Sequence, residues 1–126
     1  MPTIHELTAL SPLDGRYAKT LTSFREYFSE FSLIKWRLHV EIEWLIALSK
    51  ATEVSHISEL SNTQIEKLQA LVTHFSPEQA LQVKTIERQT LHDVKAVEYY
   101  LKEHFKKDAT LEQYIESIHF ALTSAD

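Results

Sequence analysis

The chain has 126 residues, 44% of them apolar and 25% charged, which suits one folded domain with a sizeable core, since a chain of this size hides about two thirds of the surface its unfolded form exposes. Thirteen basic against eighteen acidic side chains give a net charge of −5, so the basic footprint of a nucleic-acid binder is missing. Cysteine is absent, which excludes disulfides, thiolate zinc sites and cysteine nucleophiles and suits a reducing compartment, here expected to be the cytoplasm.

The opening, MPTIHELTALSPLDG, lacks the zones of a signal peptide, and no apolar run reaches the roughly 18 residues of a membrane span. Neither a membrane nor a nucleic acid is therefore an expected partner. One glycine and three prolines leave little turn punctuation, which points to an all-α domain of helices joined by short polar links. Residues 1 to 17 are the exception: Pro2, Pro12 and Gly15 predict an irregular N-terminal arm, and Asp14-Gly15 is a turn signal.

From Lys19 to Phe28 the spacing of Leu21, Phe24 and Tyr27 or Phe28 predicts a short helix. Ser29 to Lys50 is a longer segment whose middle, KWRLHVEIEW, alternates polar and apolar residues as a half-buried strand would. Wound at about 100° per residue, the same positions fall into two apolar stripes. One holds Leu33, Trp36, Val40, Trp44 and Leu45, the other Phe31, Ile34, Leu38, Ile42 and Leu48. Length without Gly or Pro favours the helix, packed between two neighbours, with Trp36 and Trp44 as core anchors.

Capping chemistry predicts the next starts. Ser61-x-x-Gln64 opens a helix to about Phe75, and Ser76-Pro77-Glu78-Gln79 another, with Pro77 where a missing N–H costs nothing. Thr90-x-x-Asp93 opens a third, to about Lys106, and Thr110-x-x-Gln113 a fourth with Leu111, Tyr114, Ile118 and Leu122 inward. The closing Thr123-Ser124-Ala125-Asp126 again reads as a helix beginning, as a fragment of a longer chain would end.

Three places could meet an anion. Arg16-Tyr17 follows the glycine turn, where a backbone can approach a ligand and a guanidinium and a phenol supply donors; taken alone, the pair is more simply explained as a solvated arginine beside a packing tyrosine. His92-Asp93 lies in a first helical turn, near unpaired N–H groups; the plain alternative is a surface histidine and a capping acid. Thr123-Ser124 offers two hydroxyls at a helix start, or a simple N-cap. The seven histidines show no metal-ligand spacing, so no zinc is expected, and His119 is explained as a cation at a helix C-terminus. There is no Gly-rich phosphate loop and no nucleophile elbow.

"SPLDGRY", "KTIERQTLHDVKAVEYYLKE" and "SIHFALTSAD", in this order and at these separations, resemble the adenylosuccinate lyase family of the fumarase/aspartase superfamily, closest to the bacterial branch with "HDVKAVEY". The resemblance implies a cytoplasmic enzyme of purine biosynthesis, a helical homotetramer whose active sites draw on three subunits. It eliminates fumarate from adenylosuccinate, leaving AMP, and from the succinylocarboxamide ribonucleotide, by general base and general acid, without metal or organic cofactor. By position it assigns Arg16 and Tyr17 to the nucleotide, His92 and Asp93 to the substrate, and Thr123 and Ser124 to the succinyl carboxylate. Leu91 stands where Arg or Asn is expected and could contribute only backbone, and Ala125 replaces an acid or amide.

The resemblance further implies an N-terminal domain over residues 1–110 and the beginning of a truncated central bundle over 111–126. The catalytic histidine and serine would lie beyond residue 126, so no catalytic residue is assigned and the chain alone is expected to be inactive, as a monomer or weak dimer. The alternative is a non-catalytic helical nucleotide-binding or interaction module of related ancestry.

Overall fold

The computed structural model describes residues 1–124; Ala125 and Asp126, with the helix start expected there, lie outside the described residues. Among the described residues every regular element is helical, and no helix is long and apolar enough to cross a membrane. By internal packing the chain divides into residues 1–33 and 34–126, a boundary that falls inside the longest helix.

The first unit contains more order than its composition predicts. Helix α1, Ile4–Thr8, is opened by a reciprocal cap: the Thr3 hydroxyl accepts from the Glu6 N–H and the Glu6 carboxylate accepts from the Thr3 N–H at 2.7 Å. Residues 11 to 21 then run through consecutive turns, and the expected helix from Lys19 shrinks to a 3-10 turn, Thr22–Phe24, leading into the single-turn helix α2, Arg25–Phe28. Its spaced apolar residues do not form a core, for Phe24, Tyr27 and Phe28 are all exposed. With no face to bury, periodicity alone cannot sustain a longer helix. Leu13, Leu21, Phe24 and Phe28, with Asp14, Arg25 and Ser29, line a cleft of about 510 Å³.

Helix α3, Glu30–Lys50, settles the ambiguity of KWRLHVEIEW in favour of helix. Only one of its two stripes is covered: Ile34, Leu38, Ile42 and Leu48 are buried, as is Leu45, whereas Leu33, Trp36 and Val40 are exposed. Trp36, 53% exposed, is therefore not a core anchor, and Trp44 is half-buried. Leu45 sits among the buried residues because its angular position lies nearer Leu38 than Trp44.

Ser61 and Ser76 cap α4, Asn62–Thr73, and α5, Pro77–Thr90, by the reciprocal serine–glutamine exchange their spacing predicts. Helix α6, Asp93–Lys106, starts two residues later than a Thr90 cap would place it. Thr90 is still part of α5, and its hydroxyl donates to the His92 carbonyl at 3.1 Å. Helix α6 packs against α5 and contributes Val94, Ala96, Val97, Tyr100, Leu101 and Phe105 to the core.

After α6 the expected fourth helix is a 3-10 helix, Glu112–Ser117. The Thr110 hydroxyl donates to Asp108 at 2.7 Å and accepts from Lys67 at 3.2 Å, so it does not cap a helix, and the N-terminal residue Leu111 makes no side-chain cap. Leu111, Tyr114 and Ile118 are nevertheless buried as expected, and the Tyr114 hydroxyl donates to the Ser58 carbonyl at 3.0 Å. Beyond it His119 and Ala121 take left-handed backbone angles, with φ of 65° and 62°. A non-glycine residue there costs about 1–2 kcal/mol, so the turn must be held from outside itself.

Candidate functional site

In the first unit, the lone glycine does not need its conformational freedom for a positive φ. Its role is steric: a Cβ at Gly15 would overlap the Glu6 carbonyl oxygen and lie 3.1 Å from the Ala9 Cβ. The close approach is thus to the chain's own α1 backbone. Pro12 accepts from the Gly15 N–H at 3.3 Å and the Tyr17 N–H at 2.9 Å, which closes the corner and leaves Arg16 and Tyr17 facing outward. The Arg16 guanidinium lies 5.0 Å from the Tyr17 ring centroid, a cation–π arrangement that keeps the two side chains side by side. Neither lines the cleft behind them.

In the second unit, Leu91, His92 and Asp93 form the joint between α5 and α6. Leu91 ends α5 in a left-handed conformation with φ of 55°, its N–H donating to the Glu87 carbonyl at 2.8 Å and its side chain exposed. That geometry usually falls to glycine. His92, not Thr90 or Asp93, is the N-cap: its Nδ1 accepts from the Lys95 N–H at 3.2 Å. With Nδ1 engaged as the cap, Nε2 is the ring nitrogen left to meet a ligand. His92 Nδ1 also lies 3.9 Å from an Asp93 carboxylate oxygen.

Asp93 occupies the first helical position. One oxygen accepts from the Val94 N–H at 2.8 Å, and the other meets Arg37 of α3 at 2.9 Å. The Val94 N–H and then the Arg37 charge hold its carboxyl below the usual aspartate range, against partial desolvation. Arg37 was not singled out in the sequence. It lies within the polar–apolar alternation of α3, and nothing local in KWRLHVEIEW marks its distant partner.

Thr123 and Ser124 are exposed and lie outside any helix, three residues after the turn at Phe120. That turn is fastened to α3. The Trp44 indole N–H donates to the Phe120 carbonyl at 2.6 Å, and His119 Nδ1 meets the carboxylate of Glu41, which is 4% exposed. His119 is thus a partner of a buried acid rather than the cation at a helix end that its position suggests. Burial pushes the Glu41 carboxyl up, the contact with His119 opposes this, and the nearby Glu98 charge adds to the rise. Among the described residues no cluster of three or more His, Asp or Glu could hold a metal ion.

No family model matches the chain. Among curated proteins it is 46% identical to an adenylosuccinate lyase of Haemophilus influenzae over 120 residues, which is 95% of this chain and 26% of that protein. It is 45% identical to the adenylosuccinate lyase of Escherichia coli over 123 residues, 98% of this chain and 27% of the relative. The same name is carried by a Dictyostelium discoideum protein, 42% identical over 98% of this chain and 27% of its own length. The chain spans about a quarter of the length of the curated relatives it matches.

Proposed function

We propose, from the premise that this chain belongs to the adenylosuccinate lyase family and matches an N-terminal portion of its members, that it is the substrate-binding N-terminal part of such a lyase. The whole enzyme would release fumarate from adenylosuccinate, leaving AMP, and from the succinylocarboxamide ribonucleotide, in the cytoplasm and as a homotetramer. Residues 1–110 form its N-terminal domain and 111–126 the entry to its central bundle.

The observation that carries the reading is identity of 41–46% over nearly the whole chain to proteins of this one name. The geometry is compatible with it. Arg16 and Tyr17 face outward as a paired cation and phenol suited to a phosphate. His92 offers its ring at a helix start, next to an Asp93 that Arg37 holds, and would touch the substrate. Leu91 offers backbone only, and Thr123 and Ser124 would meet the succinyl carboxylate. Because the assembled sites are expected to draw on several subunits, these groups need not meet within one chain.

Two measurements test this. Purified residues 1–126 incubated with adenylosuccinate should release no fumarate, and measurable release overturns the assignment of the chemistry to residues further along. Titration with AMP, followed by NMR, should shift the resonances of Arg16 and His92. Shifts at neither residue overturn their assignment as nucleotide contacts.

A further inference from the structure

The turn His119-Phe120-Ala121 is bracketed by two left-handed residues, neither of them glycine, and it is gripped from one helix. Glu41 and Trp44, three residues apart on α3, reach successive residues of it: the Glu41 carboxylate meets the His119 ring, and the Trp44 indole N–H donates to the Phe120 carbonyl at 2.6 Å. The His56 ring adds an edge-on contact, 5.3 Å from the Phe120 ring.

We infer that Glu41 and Trp44 are positioning residues, which hold this turn in its left-handed course and thereby set where Thr123 and Ser124 are presented to a carboxylate ligand. The inference rests on the reading of Thr123 and Ser124 as carboxylate-binding groups.

The grip is specific because both sides need it. Glu41 is buried, and among the described residues its Oε2 has no hydrogen-bond partner, so His119 is what makes an acid tolerable at that point. Glu98, from α6, is also buried and adds negative potential, but its own charge is met by Lys95 at 3.4 Å and Lys102 at 3.1 Å. His119 is therefore the side chain that meets the Glu41 carboxyl directly. On the other side, a left-handed residue with a Cβ relaxes to negative φ when nothing opposes it. Such a flip at Ala121 would redirect the chain two residues before Thr123.

The test uses the 126-residue chain with succinate as the probe. A positive φ gives a strong intraresidue HN–Hα NOE. Trp44→Phe keeps an aromatic ring and loses the donor, so the NOEs at residues 119 and 121 should weaken and the dissociation constant for succinate, read at the Thr123 and Ser124 amides, should rise several-fold. Glu41→Gln, which keeps the shape and loses the charge, should act in the same direction and less strongly. Ala121→Gly in the Trp44→Phe background should restore affinity, because glycine takes the left-handed angle without a side-chain penalty, a rescue that general loss of packing would not show. NOEs that persist in both variants overturn the grip. A turn that loosens on substitution in a chain that never binds succinate overturns the carboxylate reading instead, and with it the presentation of Thr123 and Ser124.

Discussion

Residues 1–33 and residues 34–118 are ordered by different means. Among the described residues every buried apolar side chain lies in the second stretch, from Ile34 to Ile118. The first stretch buries Gly15 and Ser32 and exposes Ile4, Leu7, Leu10, Leu13, Phe24 and Phe28. Its form is held by the Thr3–Glu6 exchange, the turns closed on Pro12 and a steric fit at Gly15. Local hydrogen bonds and a missing Cβ can shape a segment without a core, but each is worth about 1 kcal/mol, whereas burial of one large side chain is worth several.

The contrast can be broken first at its strongest point. Phe105 on α6 is 0% exposed, so Phe105→Ala should cost about 3–5 kcal/mol in chemical denaturation, a large fraction of a small domain's stability. A loss below about 1 kcal/mol would mean that the α6 face is not closed over its core. Next, Gly15→Ala should cost about 1–3 kcal/mol of local order, read as faster amide exchange at positions 15 and 17, because the new methyl group meets backbone that has no rotamer to yield. Unchanged exchange would remove the steric account of the glycine.

Smaller effects sharpen the picture of helix starts. Ser76→Ala should destabilise by about 1 kcal/mol, and His92→Ala by a similar amount, because each removes a side-chain acceptor from a helix N-terminus. Thr90→Ala should matter less to α6, since Thr90 does not cap it. Equal losses at Thr90 and His92 by thermal melting would return the cap to the threonine.

The smallest effect is in pH, and the two buttressed acids carry opposite signs. Asp93 has a lowered folded pKa, so its contribution is fully present above the ordinary value of 3.8 and is lost as pH falls through the lowered one. Glu41 has a raised folded pKa, so the folded chain favours its protonated form, and stability declines as pH rises from the ordinary 4.5 through the raised value. Asp93→Asn should remove the acid-side loss, and Glu41→Gln should flatten the decline above it. Denaturation midpoints measured across pH check both, and parallel profiles for the two variants would contradict the opposed causes.

What was legible in the residues follows the same division. The starts of α4 and α5 could be read because serine, proline and glutamine act within four residues of one another. Helix α3 could be read through its misleading alternation because Gly and Pro are absent from a long run. The start of α6 was displaced because a ring nitrogen did what a hydroxyl was expected to do. The exposure of Trp36, the Arg37–Asp93 contact and the Glu41–His119 pair were hidden for a common reason: each depends on what lies opposite α3, and nothing in one strip of sequence states its partner. The candidate positions were singled out through motifs that resemble the family's, while the side chains packed around them were not.

The two tryptophans, once expected to share one buried stripe, sit instead in unlike surroundings: Trp36 largely in water, Trp44 with its indole N–H spent on the Phe120 carbonyl. A chain with Trp36 replaced by phenylalanine would therefore carry a single tryptophan, excitable apart from the tyrosines and wired to the His119–Ala121 turn. Its emission would follow that turn optically, with no label attached, as ligands or temperature act on it.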